Sequence, residues 1–183
     1  MPESVVILDA TAIQRAVTRI AHEIAERNEH SADVLLVGIP ALGDHLAARL
    51  GKVLTGIWNV PVPVGILDVT MHRDDLDQRA APTLHPTVMP FDVNGKTVVL
   101  VDDVLFTGRT TRAAMDALND FGRPRKIQLA VLIDRGHREL PVKADFVGKN
   151  VPTALNEKIV LRLTETGLAQ DEVWLQKTSP ANP

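Results

Sequence analysis

Residues 98–110 read VVLVDDVLFTGRT, and this stretch decides the fold. The run TVVLV at residues 97–101 is typical of a strand that is covered on both faces of a parallel sheet. Asp102 and Asp103 follow at its carboxyl end, where open α/β sheets bind ligands. A glycine loop then leads into residues 110–121, which have helical periodicity. Backbone N–H groups at a helix N-terminus bind anions, so the stretch predicts a phosphate site.

The residue types inside this stretch suit a phosphorylated sugar. Gly108 lets the chain approach a phosphate without a Cβ in the way. Thr107 and Thr110 supply hydroxyl donors, and Arg109 supplies charge or a surface contact. The two carboxylates are expected to bond ribose hydroxyls and to hold Mg²⁺, which shares its oxygen ligands with substrate phosphates. A solvated acid pair followed by an ordinary helix cap is the alternative. The phosphate site is favoured because strand, acid pair, glycine loop and helix all occur together in working order.

The rest of the chain alternates strands and helices. Periodic apolar residues predict a first helix over residues 11–27, capped by Asp9 or Thr11. Residues 44–53 have helical spacing too. Runs rich in apolar and β-branched residues predict strands over residues 34–39, 62–71, 127–133, 146–147 and 159–163. This alternation predicts an α/β fold with a mostly parallel sheet.

Length and composition indicate one globular domain. The 183 residues are 45% hydrophobic and 23% charged, and the domain is assigned to residues 1–178 with a frayed tail at 179–183. Residues 72–93 include a proline-rich stretch without periodicity, which predicts a lid loop. The absence of cysteine excludes disulfides and thiolate metal sites. No apolar run approaches the ~18–20 residues of a membrane span and no secretory signal is evident, so we expect a cytoplasmic protein with no membrane partner.

Several further motifs carry a family resemblance. The chain resembles the type I phosphoribosyltransferases through residues 98–110, and more closely the bifunctional pyrimidine-operon attenuator/uracil phosphoribosyltransferase (PyrR) family. The motifs that carry this closer likeness are TRIAHEIAERN (18–28), RDDL (73–76), GRP (122–124), LAVLIDRGHRELP (129–141) and ADFVGKNVPT (144–153). The resemblance implies a type I phosphoribosyltransferase fold: a mostly parallel central sheet flanked by helices, with a small hood and a flexible lid.

The resemblance implies two activities. One is binding of a stem-loop in pyrimidine-operon messenger RNA, promoted by uridine nucleotides such as UMP and UTP. The other is synthesis of UMP and pyrophosphate from uracil and 5-phosphoribosyl-1-pyrophosphate (PRPP) with Mg²⁺, by a protein that is a homodimer or a larger homo-oligomer. Asp102, Asp103 and Arg73 are the catalytic residues it implies, and the two aspartates are the metal ligands. The substrate-binding residues it implies are Ala41, Leu42, Gly43, Val104, Leu105, Phe106, Thr107, Gly108, Arg109, Thr110, Ile133, Asp134 and Arg135.

One turn departs from the family pattern. Residues 41–43 read Ala-Leu-Gly where the family usually has Thr-Arg-Gly, whose arginine serves the pyrophosphate. Each charge-assisted bond lost with a guanidinium is worth about 1.5–3 kcal/mol, so we expect weakened use of PRPP. Two alternatives therefore stay open. One is a catalytically impaired RNA-binding regulator that keeps PRPP or UMP as an effector, and the other is a phosphoribosyltransferase for another base without RNA binding.

A basic face is expected to bind the RNA. Arg15, Thr18, Arg19 and His22 lie at i, i+3, i+4 and i+7 on the first helix, opposite its apolar stripe. A basic stripe of this kind is more often a solvated helix face, and few aromatic residues are available for base stacking. The family resemblance favours RNA binding and implies these contact residues: Thr18, Arg19, His22, Arg27, His137, Arg138, Lys149 and Thr153.

Overall fold

A computed structural model describes residues 4–29, 31–75 and 83–177. Three α-helices and eight strands succeed one another in these residues. In chain order they are β1 (Ser4–Leu8), α1 (Ala10–Arg27), β2 (Val34–Gly38), α2 (Gly43–Trp58), β3 (Val64–Ile66), β4 (Thr97–Leu105), α3 (Arg109–Leu118), β5 (Lys126–Asp134), β6 (Phe146–Asn150), β7 (Glu157–Arg162) and β8 (Glu172–Lys177). None of the helices in the described part of the chain is both long and apolar enough to cross a membrane.

The central sheet has five strands in the order β3-β2-β4-β5-β6, all parallel. One face packs against the apolar sides of α1 and α2, through residues such as Ile20 and Leu50. The other face packs against α3, with Ala114 and Leu118 fully buried there. Burial on both faces explains why β2 and β4 read as continuous apolar runs. The predicted α/β class and parallel sheet are confirmed.

A second, antiparallel sheet has the order β1-β8-β7 and corresponds to the expected small hood. It is built from the two ends of the chain. The sequence reasoning missed β1 and β8, because both are short and they pair with each other from opposite ends of the described chain. Val5 and Val6, two consecutive apolar residues of β1, are 55% and 40% exposed. The sequence of β1 therefore lacks the alternation of apolar and polar residues that predicts a strand with one buried face.

The first helix forms as the sequence predicts. Its buried stripe includes the predicted Ile13, Val17, Ile20 and Ile24. Asp9 is the cap, and its carboxylate accepts a hydrogen bond of 2.8 Å from the backbone of Ala12. The other two helices differ in extent from prediction. The second runs to Trp58 rather than residue 53, and the third ends at Leu118 before a 3₁₀ turn.

Two strand predictions needed correction. The predicted strand over residues 62–71 is reduced to β3, because Asp68 accepts backbone hydrogen bonds from Thr70 (2.9 Å) and His85 (2.8 Å) and folds the chain into a turn. Conversely, β4 runs through the two aspartates to Leu105, because β5 continues to pair with it as far as Asp134. Within the predicted lid, residues 76–82 lie outside the described residues, as does the tail.

Candidate active site and RNA-binding face

Three chain segments meet at the carboxyl ends of the central strands. The turn after β2 packs directly on the end of β4: the backbone N–H of Ile39 donates to the Val101 carbonyl at 2.9 Å. Gly43 lies so close to this strand that an added Cβ would come within 3.0 Å of Asp102 Cα and collide with the Val101 carbonyl. Glycine is therefore required at position 43. The contact places the turn beside the acid pair.

Asp102 and Asp103 form a tightly coupled pair of acids at the end of β4. The Asp102 side chain accepts from the Asp103 backbone at 2.9 Å, and Asp103 accepts from the Val104 backbone at 2.8 Å. Burial, with repulsion from its neighbour, raises the pKa of Asp102 well above its ordinary value. Burial also raises the pKa of Asp103. A cation placed beside the pair would relieve both effects.

The pair is suited to a hard divalent cation. In the described residues, no three side chains of metal-binding type converge on one point. Two carboxylates are nevertheless the set that Mg²⁺ uses when water and substrate phosphate fill its other positions. Phosphoribosyltransferases generally use Mg²⁺ with PRPP, and the oxygen ligands available here fit that metal.

The predicted phosphate loop (residues 106–110, hereafter the phosphate loop) leaves β4 and enters α3. Gly108 has φ of 92°, a left-handed conformation that favours glycine. The backbone N–H of Arg109 donates to the Thr107 hydroxyl at 3.3 Å, which closes the loop on itself. Ahead of the loop, Val104 is half-buried and Leu105 is buried in the core beneath α3.

The arginines around the loop are paired with carboxylates. Arg73 binds Asp75 through two hydrogen bonds of 2.8 and 2.9 Å, and it donates to the Thr110 hydroxyl at 2.8 Å. Arg109, a predicted substrate-binding residue, pairs its guanidinium with Asp74 and Glu139. Hydrogen bonding to Asp75 raises the pKa of Arg73. The start of the predicted lid is thus fastened to the N-terminus of α3.

The residues predicted to lie near the base are at the end of β5, next to the phosphate loop. Ile133 is fully buried, and Asp134 lies opposite Leu105 in the sheet. Arg135 is 7% exposed and places its guanidinium 4.1 Å from the centroid of the Phe106 ring. Burial lowers the pKa of Arg135. The predicted base and phosphate residues are therefore in direct contact.

The altered turn presents no cationic side chain. Ala41 is exposed, and Leu42 packs against the main core beneath α1 and α2. Because Leu42 is partly buried there, the turn offers a ligand only backbone groups from residues 41–43. The expected weakening of PRPP use at this turn stays a prediction.

The predicted RNA residues fall into two groups. Arg19 and Arg27 on α1 face the β6 edge: Arg19 donates to the carbonyls of Val147 (3.1 Å) and Gly148 (2.5 Å), and Arg27 pairs with Asp145 at 2.9 Å. The members of this first group are Thr18, Arg19, His22, Arg27 and Lys149. The second group, His137, Arg138 and Thr153, lies beyond the end of β5. Strand β6, which carries Lys149 of the first group, connects the two groups, since its last residues pair with the end of β5.

Comparison with known proteins decides the family. A phosphoribosyl transferase domain model matches residues 6–161. The chain is 62% identical over 174 residues to the "Bifunctional protein PyrR" of Roseiflexus sp. (strain RS-1), covering 94% of this chain and 95% of the relative. It is 55% identical over 181 residues to the protein of that name from Listeria monocytogenes, covering 97% and 99%. This chain belongs to the bifunctional PyrR family.

Solved structures confirm the type I phosphoribosyltransferase fold of this PyrR-family chain. Hypoxanthine phosphoribosyltransferase from Trypanosoma cruzi, in complex with the product IMP, superposes with a TM-score of 0.71 at 19% identity, covering 96% of this chain and 91% of that one. A hypoxanthine-guanine phosphoribosyltransferase from Bacillus anthracis gives 0.70 at 17% identity over 98% and 99%. At such identities the likeness shows the fold alone.

The structure of this PyrR-family chain also reveals contacts that sequence reasoning missed. Arg49 on α2 binds Glu165 (2.7 Å from Nε) and Asp171, which precede β8. This cluster ties the hood to the helix that starts at the altered turn. Its members lie 116 and 122 residues apart in sequence, and no local pattern signals such a contact.

Proposed function

We propose that this protein is a pyrimidine-nucleotide-responsive regulator that binds pyrimidine-operon messenger RNA and also converts uracil and PRPP to UMP and pyrophosphate. The observation that carries the proposal is the acid pair Asp102–Asp103, with Asp102 buried, beside the Gly108 loop in a chain of the PyrR family. The alternative of a phosphoribosyltransferase for another base without RNA binding finds no support in the comparisons.

The proposed roles follow from position. The 5-phosphate of PRPP binds the backbone N–H groups and hydroxyls of the loop from Thr107 to Thr110, at the N-terminus of α3. Asp102 and Asp103 accept hydrogen bonds from the ribose hydroxyls and are the residues that hold Mg²⁺. The metal, when bound, neutralises charge on the pyrophosphate. The segment from Ile133 to Arg135 lies against the uracil.

Catalysis in this proposal depends on positioning. Uracil N1 bonds to the anomeric carbon and gives up its proton to water as the bond to pyrophosphate breaks. The protein must therefore align both groups while charge separates. Arg73 contacts the loop from the lid side, where it donates a hydrogen bond to the Thr110 hydroxyl. We propose that it transfers from Asp75 to the ligand, since it already donates to Thr110.

The test of catalysis is a uracil assay with PRPP and Mg²⁺, which follows formation of UMP. Wild-type protein is expected to form UMP, and Asp103→Asn is expected to form much less. Asp116→Asn is a matched control on the exposed side of α3. If the wild type forms no UMP but UMP still raises its melting temperature, the catalytic role would be refuted and only the regulatory role would remain.

That second candidate, an impaired enzyme that keeps UMP as an effector, is favoured by one observation. Leu42 packs into the core where the family usually has an arginine, so no side-chain cation reaches the pyrophosphate from this turn. UMP carries no pyrophosphate, and its binding does not depend on that cation. A large loss of PRPP affinity with normal UMP affinity would support this reading.

RNA binding is proposed for the face along α1 and the edge strand β6. Its exposed cations, Arg19, Arg27 and Lys149, are expected to contact phosphates, so affinity should fall steeply with salt. In a gel shift on leader RNA of the cognate pyrimidine operon, Arg19→Gln should weaken binding while leaving UMP binding intact. Arg112→Gln on α3 is the control of equal charge change. Equal binding of unrelated RNA would remove the attenuator role.

The remaining partners follow from the same proposal. We propose a homodimer, because a two-fold axis would double the basic face and offer a longer track to RNA. PRPP, uracil and messenger RNA are found together in the cytoplasm, which is the proposed location. Light scattering of the purified chain tests the oligomer directly.

A further inference from the structure

The phosphate loop is clasped by a neighbouring segment that follows β5. This clasp segment comprises residues 136–142. The carbonyl of Thr107 accepts two backbone hydrogen bonds from it, from Glu139 at 3.0 Å and Leu140 at 3.1 Å. Arg109 is paired with the Glu139 carboxylate at 2.8 Å. A Cβ added to Gly108 would come within 3.1 Å of Val142. The loop and the clasp segment are therefore one packed unit.

Arg138 is the centre of this clasp. Its Nε donates to the Val142 carbonyl at 2.9 Å, and its Nη1 donates to the Phe106 carbonyl at 2.8 Å and to the Gly136 carbonyl at 3.3 Å. Its Nη2 binds the Asp134 carboxylate. All three guanidinium nitrogens thus bind acceptors of the same chain, and the side chain is only 23% exposed. An RNA phosphate would have to compete with these partners.

The Phe106 ring contacts the predicted RNA face from the other side. The His137 ring meets it edge-on, with centroids 5.9 Å apart, and Arg135 lies over its face. His137 Nε2 lies 2.5 Å from the Thr153 carbonyl, and Arg135 donates to the Thr153 hydroxyl at 2.9 Å. His137 is exposed and has φ of 61°, a left-handed conformation that is strained for a residue other than glycine. Its position therefore depends on these contacts.

We infer that Arg138 is a positioning residue that couples the nucleotide site to the RNA face, and not a contact of the RNA. The inference rests on the proposed function. A phosphate in the loop acts on the backbone that Arg138 and the clasp segment hold, and the same segment orients His137 against Thr153. If a nucleotide binds one arrangement of this unit more tightly than another, it shifts the protein towards that arrangement and so changes the affinity for RNA. Bound RNA must then change the affinity for the nucleotide by the same factor.

The experiment compares two substitutions that each remove one cation from the predicted RNA face. Arg138→Met removes the clasp, and Lys149→Met removes an exposed amine that has one long bond of 3.2 Å to the Ile7 carbonyl. RNA dissociation constants are measured at several salt concentrations, with and without UMP, on a transcript of the pyrimidine-operon leader. The salt slope is the slope of the logarithm of RNA affinity against the logarithm of salt concentration. Each contact with one phosphate is expected to contribute about one unit to it.

The two variants are expected to differ in kind. Lys149→Met should lower the salt slope by about one and keep the wild-type ratio of RNA affinities with and without UMP. Arg138→Met should keep the slope but bring that ratio to within about twofold of one, from a wild-type value in the usual 5- to 150-fold range. A lowered slope with an unchanged ratio for Arg138→Met would overturn the inference.

A second variant keeps the test decisive if Arg138→Met does not fold. Phe106→Leu removes the ring between Arg135 and His137 and should also bring the ratio close to one. Phe121→Leu, an exposed ring beyond α3, should keep the wild-type ratio. An unchanged ratio for Phe106→Leu would contradict the inference. Wild-type protein that binds no leader RNA would overturn the proposed function itself, and one that binds RNA without any effect of UMP would overturn both.

Discussion

Removing the Arg49 guanidinium should loosen the hood and destabilise the protein. Arg49 binds both oxygens of Glu165, at 2.7 and 2.5 Å, and both oxygens of Asp171. Its side chain is 16% exposed, against 33% for Glu165 and 13% for Asp171. Arg49→Met keeps most of the apolar length of the side chain but leaves two part-buried carboxylates without their cation.

The expected cost follows from these contacts. Charge-assisted hydrogen bonds contribute about 1.5–3 kcal/mol each when buried, but the exposed fraction of Glu165 and the remaining backbone bond from Thr164 to Asp171 reduce the loss. We expect a loss of about 2 kcal/mol in the free energy of unfolding. For a chain of this size that lowers the melting temperature by roughly 4–8 °C.

The effect should depend on pH in a defined direction. The hydrogen bonds from Arg49 hold the pKa of Glu165 below its ordinary value of 4.5 and that of Asp171 below 3.8. Groups with a lowered folded-state pKa contribute stability above the unfolded value and lose it as pH falls through the folded value. The difference in the free energy of unfolding between wild type and Arg49→Met should therefore have its full value at pH 7 and become smaller below about pH 4.

Thermal unfolding followed by circular dichroism measures the difference. Arg112→Met is the matched control, because Arg112 is 53% exposed and its ion pairs are 3.6 Å long. Exposed pairs of this kind are worth about 0–1 kcal/mol, so the control should change little. Equal melting temperatures for Arg49→Met and wild type at pH 7, or a difference that grows on acidification, would refute the reasoning.

Three further changes test the site. Asp102→Asn should abolish UMP synthesis yet raise the melting temperature at pH 8 in metal-free buffer. Burial raises the pKa of Asp102, so its charged form destabilises the fold at high pH and is lost on acidification. The gain in melting temperature should therefore shrink towards pH 4. An equal gain at both pH values would contradict this account. Leu42→Arg should raise kcat/KM for PRPP by about 10- to 150-fold, which is the equivalent of about 1.5–3 kcal/mol. Unchanged steady-state kinetics would show that the turn does not limit PRPP use. Gly108→Ala should lower the free energy of unfolding by about 1–2 kcal/mol, because residue 108 has a left-handed φ. It should also weaken UMP binding, which calorimetry measures. A wild-type affinity for UMP would argue against close approach of the phosphate to this loop.

Local features of the chain were enough to predict the centre of the site. The apolar run of β4, the two aspartates and the Gly108 loop are contiguous, so their order alone predicts a strand, an acid pair and a helix N-terminus. The stripe of α1 was equally readable, because helical spacing repeats every few residues. The short strands β1 and β8 were not readable, since they pair with each other although they lie at opposite ends of the described chain.

The sequence by itself determined the family, the α/β class and the residues that meet at the end of β4. Tertiary structure alone decided what the arginines do. Arg109 turns to Glu139, 30 residues away, and Arg49 to Asp171, 122 residues away. Arg138 binds the carbonyl of Phe106, a backbone group that no sequence motif identifies. A guanidinium pairs with whichever acceptors the fold brings within hydrogen-bonding distance, and that distance is set by packing between distant segments.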